Sequence, residues 1–184
     1  IFDFLYGDDY AYIFPKIGVS DGYSFLSSLE DFLGYFNKLG RPITGYFIWI
    51  QNYFISSIGD AKFFRYFSLL QILLIFYLFY SYFLKKKFNR AESFIISLSV
   101  VSIPAFNLSV AWLTLQTSLF SIIFSILSYN LLNKYFSNYE KKKYFYISLS
   151  IIFLLFSFLI YPPASTFFFI FYFLDLFLRI NEKE

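Results

Sequence analysis

Cysteine, histidine and methionine are all absent from this chain. Without cysteine there can be no disulfide framework, no zinc–thiolate site and no thiol nucleophile. Without histidine, Ser-His-Asp chemistry is excluded within these 184 residues, and any general base must be Asp, Glu, Lys or Tyr. With no Met at its head, the chain opening at Ile1 reads as an internal piece, and a membrane helix ending near Tyr6 is expected upstream. Charge is also scarce, at 15% of residues, against about 25% in soluble domains. There is no internal repeat, no glycine-rich phosphate loop, no CxxC pair and no basic recognition helix. Nucleic acid is therefore not an expected partner.

What the chain has instead is apolar surface: 59% of residues are hydrophobic, with Phe 30 and Tyr 18. An AT-rich coding sequence favours the same residues, so no single aromatic carries much weight. The bulk shift still points to a bilayer. The net charge of +3 hides an asymmetry. Residues 1–60 hold Asp3, Asp8, Asp9, Asp21, Glu30, Asp31 and Asp60 against Lys16, Lys38 and Arg41, a net −4, which leaves the remainder at +7. The later basic residues cluster in short connections, a topology signal.

Residues 1–60 are mixed in polarity. Ser20 or Asp21 can cap a helix running to about Leu39, with Phe25, Leu29, Phe32, Leu33 and Phe36 on one stripe. Gly40 is a natural stop, and Pro42 suits the first turn of a second helix. There Ile43, Tyr46, Phe47, Ile50 and Phe54 align, Gly59 ends the run, and Asp60 can cap the next. Both helices read as interfacial, one face in lipid or protein and one in water; for the first, an amphipathic helix of a soluble cap fits equally well. Apolar runs follow at 61–84, 93–109, 113–132, 144–161 and 165–178; the first has the length of about 20 residues that spans a bilayer, and all five are expected to cross or nearly cross. Pro104 would kink or stop the second run, and Pro162-Pro163 makes a tight break before the last. Lys/Arg clusters at 85–90, 134–143 and 179–183 alternate with connections that lack them. The positive-inside rule puts those clusters in the cytoplasm, with residues 1–60, Pro104–Trp112 and Tyr161–Ala164 outside. The expected fold is all-α: a polytopic membrane helical bundle carrying an outer loop of two interfacial helices.

The outer side collects the residues that could carry chemistry. Asp8 and Asp9 are adjacent, so they point in different directions. One can act as a base while the other caps a helix or binds a cation; an ordinary solvated acidic loop is the bland alternative. Arg41, between Gly40 and Pro42, suits a phosphate at the membrane surface, or snorkels to headgroups. Lys62 and Arg65 can help with the same phosphate or serve as interfacial anchors. Tyr161 heads the break at Pro162-Pro163, which can line a cavity or be a bare turn. Serines at about four-residue spacing, Ser93, Ser97 and Ser118, Ser121, Ser125, Ser128 among them, let helices approach and hydrogen-bond. Gln71 and Gln116 read as interhelical amides, and Asp175 as an i,i+4 partner of Arg179.

In order and sidedness, Asp8-Asp9, Gly40-Arg41-Pro42, Pro104 and Tyr161-Pro162 resemble the motifs of the GT-C type membrane glycosyltransferases. Within them the layout is most similar to the bacterial O-antigen glucosyltransferase group, although Pro162 stands where that group commonly has Gln. The resemblance covers the layout of most of the chain and only these few positions in motif. It implies a multi-pass protein of the bacterial inner membrane, an inverting hexosyltransferase. The donor would be a polyprenyl-phosphate sugar and the acceptor a cell-surface polysaccharide or lipid-linked glycan. Asp8 or Asp9 would be the base on the acceptor hydroxyl, and Arg41, with Lys62, Arg65 and Tyr161, would bind substrate as lipid phosphate leaves. Some relatives use a divalent cation, which Asp8 and Asp9 could ligate through oxygen. Two other classes compete. A polysaccharide polymerase or flippase would carry its key loop later and arginines inside its helices. A transporter or non-catalytic scaffold would have broken helices with charges at the midplane.

Overall fold

A computed structural model describes residues 25–55, 60–111, 115–137 and 143–181. Every regular element among them is a helix: α1 (Phe25–Lys38), α2 (Pro42–Phe54), α3 (Ala61–Lys85), α4 (Arg90–Val101), α5 (Pro104–Ala111), α6 (Gln116–Ser137), α7 (Lys143–Ile160), α8 (Pro162–Ser165) and α9 (Phe167–Asn181). The all-α expectation is met. The chain divides into two compact units between Leu119 and Phe120.

In the first unit α1 packs on α2, and α3 packs on both α4 and α5. Gly40 ends α1 in the left-handed region at φ 69°. The Arg41 amide then donates to the Phe36 carbonyl at 2.8 Å, and the Gly40 amide to Asn37 at 3.0 Å. This is the paired closure of a Schellman turn, and it delivers Arg41 to the start of α2. The same closure ends α3 at an unexpected residue. Lys87 takes φ 68°, with the Phe88 amide donating to Phe83 and the Lys87 amide to Leu84, both at 3.3 Å. A Cβ in that conformation costs about 1 kcal/mol or more. The Phe83–Phe88 edge-to-face contact at 5.5 Å supplies the apolar pairing that accompanies such a turn.

Three boundaries differ from the sequence expectation, each for a local reason. α4 starts at Arg90, not 93, because Asn89 and Glu92 form a capping box with reciprocal bonds of 2.9 Å. The run expected at 93–109 is two helices, bent by 56° at Ser102–Ile103; Pro104 opens α5 rather than closing α4, as proline's missing N–H allows. Likewise Pro162-Pro163 opens the short helix α8, so the break before the last run falls at Tyr161 and again at Thr166. Asp60 precedes α3 without making a capping hydrogen bond.

The second unit is built on hydroxyls. Ser121 faces Ser157, with Oγ atoms 2.9 Å apart, and Ser128 faces Ser150 at 3.1 Å. Seven residues forward on α6 match seven back on α7, so the two helices are antiparallel. Each hydroxyl also reaches the opposite backbone: Ser157 donates to the Ser121 carbonyl at 2.8 Å, and Ser128 and Ser150 exchange such bonds at 2.8 Å. Small side chains let backbones approach this closely. Lys134 lies over the Tyr146 ring at 6.0 Å, carrying the register to the far end. Tyr129 packs against Phe168 and Phe171 of α9.

Many polar side chains are buried and many large apolar ones exposed, although the core also holds apolar residues such as Ile75, Leu119, Ile126 and Phe171. Ser68, Ser93, Ser97, Ser121, Ser125, Ser128, Ser157 and Ser165 are fully buried, while Leu70, Leu73, Phe94, Ile95, Leu155, Phe173 and Phe177 are exposed. The second of the helices expected to be interfacial follows the same pattern. α2 turns Thr44, Gly45, Ile48, Gln51 and Asn52 inward and leaves the aligned Tyr46, Ile50 and Phe54 exposed. Among the described residues, residues 62–85 of α3 form the one unbroken helix long and apolar enough to cross a membrane. The bent pair α4–α5 passes only jointly; Tyr144–Ile160 and Pro162–Leu178 are shorter apolar helices.

Candidate functional site

Asp8 and Asp9, the expected base and metal ligands, lie outside the described residues. Among those described, no group of three or more His, Cys, Asp or Glu side chains could hold a metal ion. The expected cationic residues fall in the first unit and differ sharply in setting. Arg41 is half-buried at the end of the Schellman turn, with φ −130° and ψ 55° immediately before Pro42. Lys62 is half-buried in the first turn of α3. Arg65, one turn further, is 2% exposed and among the largest fully buried side chains. A guanidinium at that depth is not an anchor reaching for lipid headgroups, so the anchoring alternative for Arg65 is set aside.

Arg65 begins an inward polar stripe on α3. Ser68 and Gln71 follow at helical spacing and are also buried. Facing elements add Thr44, Gln51 and Asn52 from α2 and Gln116 and Thr117 from α6, all buried. One chain of side-chain bonds ties these elements together. Gln51 Nε2 donates to Gln116 Oε1. Gln116 Nε2 in turn donates to the Phe64 carbonyl at 2.9 Å, and Ser68 Oγ donates to the same carbonyl at 3.1 Å. The carbonyl that precedes Arg65 is thus fixed from two sides in addition to the helix's own ladder. Gln116 is an interhelical amide, as its isolation in an apolar run suggests. Gln71 is different: it is 4% exposed, and neither amide atom has a hydrogen-bond partner.

Arg41 precedes α2, and Arg65 lies in the first turns of α3. Gln51, which meets α6, lies ten residues beyond Arg41, or about 15 Å along the helix axis. The inward amides Gln51 and Asn52 were not singled out from sequence. Their signal was available: polar residues in a helix with no charge from Ile43 to Ile58, where an amide is costly unless paired.

Tyr161 belongs to the second unit. Its side chain is half-buried, and its backbone is the better-defined part. The Tyr161 carbonyl accepts from Ser121 Oγ at 3.0 Å and from the Ala164 amide at 3.0 Å. Ser125 Oγ reaches the Ser165 carbonyl at 3.2 Å. The break is therefore a braced corner, with its carbonyls held by the neighbouring helix. Asp175 is 5% exposed, one turn past Phe171 on the inward face of α9. Its expected partner, the Arg179 side chain, lies outside the described residues. No protein-family model, no curated protein and no solved structure matches this chain.

Proposed function

We propose that this chain belongs to a polytopic protein of the bacterial inner membrane. It would transfer a sugar from a polyprenyl-phosphate donor to a cell-surface polysaccharide or lipid-linked glycan on the outer face. The observation that carries the membrane part is the burial of serines, amides, Arg65 and Asp175 beside an apolar core, while many other Phe, Leu and Ile side chains are exposed. In water that surface would be an aggregation hazard; in hydrocarbon it is the stable arrangement, because polar groups gain by meeting each other. The transferase part is supported by the motif order and by Arg65. A buried cation on one helix stripe with the buried Ser68 and Gln71 suits the charge that develops on a departing phosphate. Arg41 would meet the substrate nearer the surface, and Asp8 or Asp9 would take the proton of the attacking hydroxyl.

A second reading, a transporter, is favoured by one feature, the helix pair α4–α5 bent by 56°, since discontinuous helices line transport sites. The two readings separate in one assay. The full-length protein, in vesicles, is given a polyprenyl-phosphate sugar and an acceptor glycan. Transfer that is lost in Asp8→Asn, in Asp9→Asn or in the double variant supports the enzyme. Transfer retained in all three rules out the base assignment, and movement of solute without transfer supports the transporter. Sidedness is checked by single-cysteine labelling: these 184 residues supply no cysteine, and any elsewhere in the full-length protein is replaced by serine. Single cysteines at Asp8 and Lys86 must react with an impermeant maleimide from opposite sides.

A further inference from the structure

Resting on the phosphate reading of Arg65, we propose that Gln116 is a positioning residue for that guanidinium, and that Gln51 acts through it. Asp60 makes no side-chain capping hydrogen bond to α3. The first turn of α3 is held at the Phe64 carbonyl, by Gln116 Nε2 at 2.9 Å and Ser68 Oγ at 3.1 Å. Gln116 is itself oriented by Gln51, whose Nε2 donates to its Oε1. All three side chains are buried, so water cannot replace a lost bond cheaply. A primary amide carries separate donor and acceptor atoms, so Gln116 can donate to a carbonyl through Nε2 while accepting from another amide at Oε1. That dual role is what a link between α2 and α3 through α6 requires. The backbone immediately before Arg65 is thereby fixed to two other helices. A cation that must meet a phosphate within a few tenths of an ångström needs such support. Neither amide touches the reacting atoms in this scheme; both act through Arg65.

Two measurements on the full-length protein test this. The first is independent of activity. Phenylglyoxal modification, read by mass spectrometry on the peptide, should find Arg65 protected relative to the exposed Arg90. Arg65 should become several-fold more reactive in Gln116→Leu and in the milder Gln51→Leu, which keeps the Gln116–Phe64 bond. Ser121→Ala serves as the control for general loosening. Protection unchanged in both leucine variants, or equal gains in the Ser121→Ala control, overturns the proposal whatever the protein catalyses. The second is kinetic. Gln116→Leu should raise the donor KM about tenfold, the worth of one buried hydrogen bond, and leave the acceptor KM unchanged. In an Arg65→Lys background the same change should add less than about twofold, because coupled residues are not additive. Full additivity overturns positioning. An unchanged donor KM in Arg65→Lys overturns the phosphate reading instead, and the reactivity result then decides the positioning alone.

Discussion

Removing one hydroxyl, that of Ser157, tests how the second unit is held. Ser157 is fully buried. Its Oγ donates to the Ser121 carbonyl at 2.8 Å and lies 2.9 Å from Ser121 Oγ and 2.8 Å from Ser125 Oγ. Ser157→Ala deletes all three contacts, yet it strands little. Ser121 Oγ keeps the Ser157 and Tyr161 carbonyls at 2.9 and 3.0 Å, and Ser125 Oγ keeps the Ser165 carbonyl at 3.2 Å. Interhelical hydrogen bonds in membranes average about 0.6 kcal/mol and reach about 1.7, so the expected loss is about 1 kcal/mol. Ser157→Leu is another matter. A side chain whose Oγ already sits at hydrogen-bonding distance from the opposite backbone leaves no room for three more carbons. The helices must part, which adds overpacking strain of about 1–3 kcal/mol to the lost bonds. Reversible unfolding in mixed micelles, followed by helix content, should therefore rank wild type above Ala and Ala well above Leu. Ser99→Ala, at an exposed serine that bonds only to its own helix, should stay within about 0.5 kcal/mol of wild type. A leucine variant as stable as the alanine variant would refute close hydroxyl-mediated packing of α6 on α7.

Three further outcomes are expected. Lys87→Gly should stabilise the α3–α4 turn by about 1 kcal/mol, measured by the same unfolding, because glycine removes the Cβ penalty at φ 68°. Asn89→Ala should cost about 1 kcal/mol through loss of the capping box, with Asn89→Asp largely preserving it. Leu73→Arg, at a position 61% exposed near the middle of α3, should cost about 2.5–3.5 kcal/mol in a membrane-insertion reporter. A charge tolerated there without penalty would contradict placement of that face in lipid.

Much of the helix layout was legible because it rests on local chemistry. Gly40 as a stop, Pro42 as a start and the long run after Asp60 follow from backbone sterics and apolar length, and they appear where they were expected. The capping box at Asn89–Glu92 was equally local, yet it was overlooked beside the stronger apolar signal beginning at Ser93. Positive φ at Lys87 was not legible, since nothing in Lys85-Lys86-Lys87 marks one lysine for a conformation that glycine prefers. The bend between α4 and α5 was only half legible: Pro104 announces an interruption but not its angle.

Composition and periodicity by themselves determined that the chain is helical, poor in charge and free of thiol and imidazole chemistry, because those properties belong to single residues and their nearest neighbours along the backbone. The direction each stripe faces was decided only by tertiary structure. The aligned Tyr46, Ile50 and Phe54 of α2 turn outward while Gln51 and Asn52 turn in. Arg65, a phosphate partner or an interfacial anchor by sequence position alone, is enclosed. A helix of given amphipathicity can present either face to its neighbours, and the choice depends on what those neighbours offer. Here Gln116 and the Phe64 carbonyl offer hydrogen bonds that hydrocarbon does not, and no pattern within one helix records that.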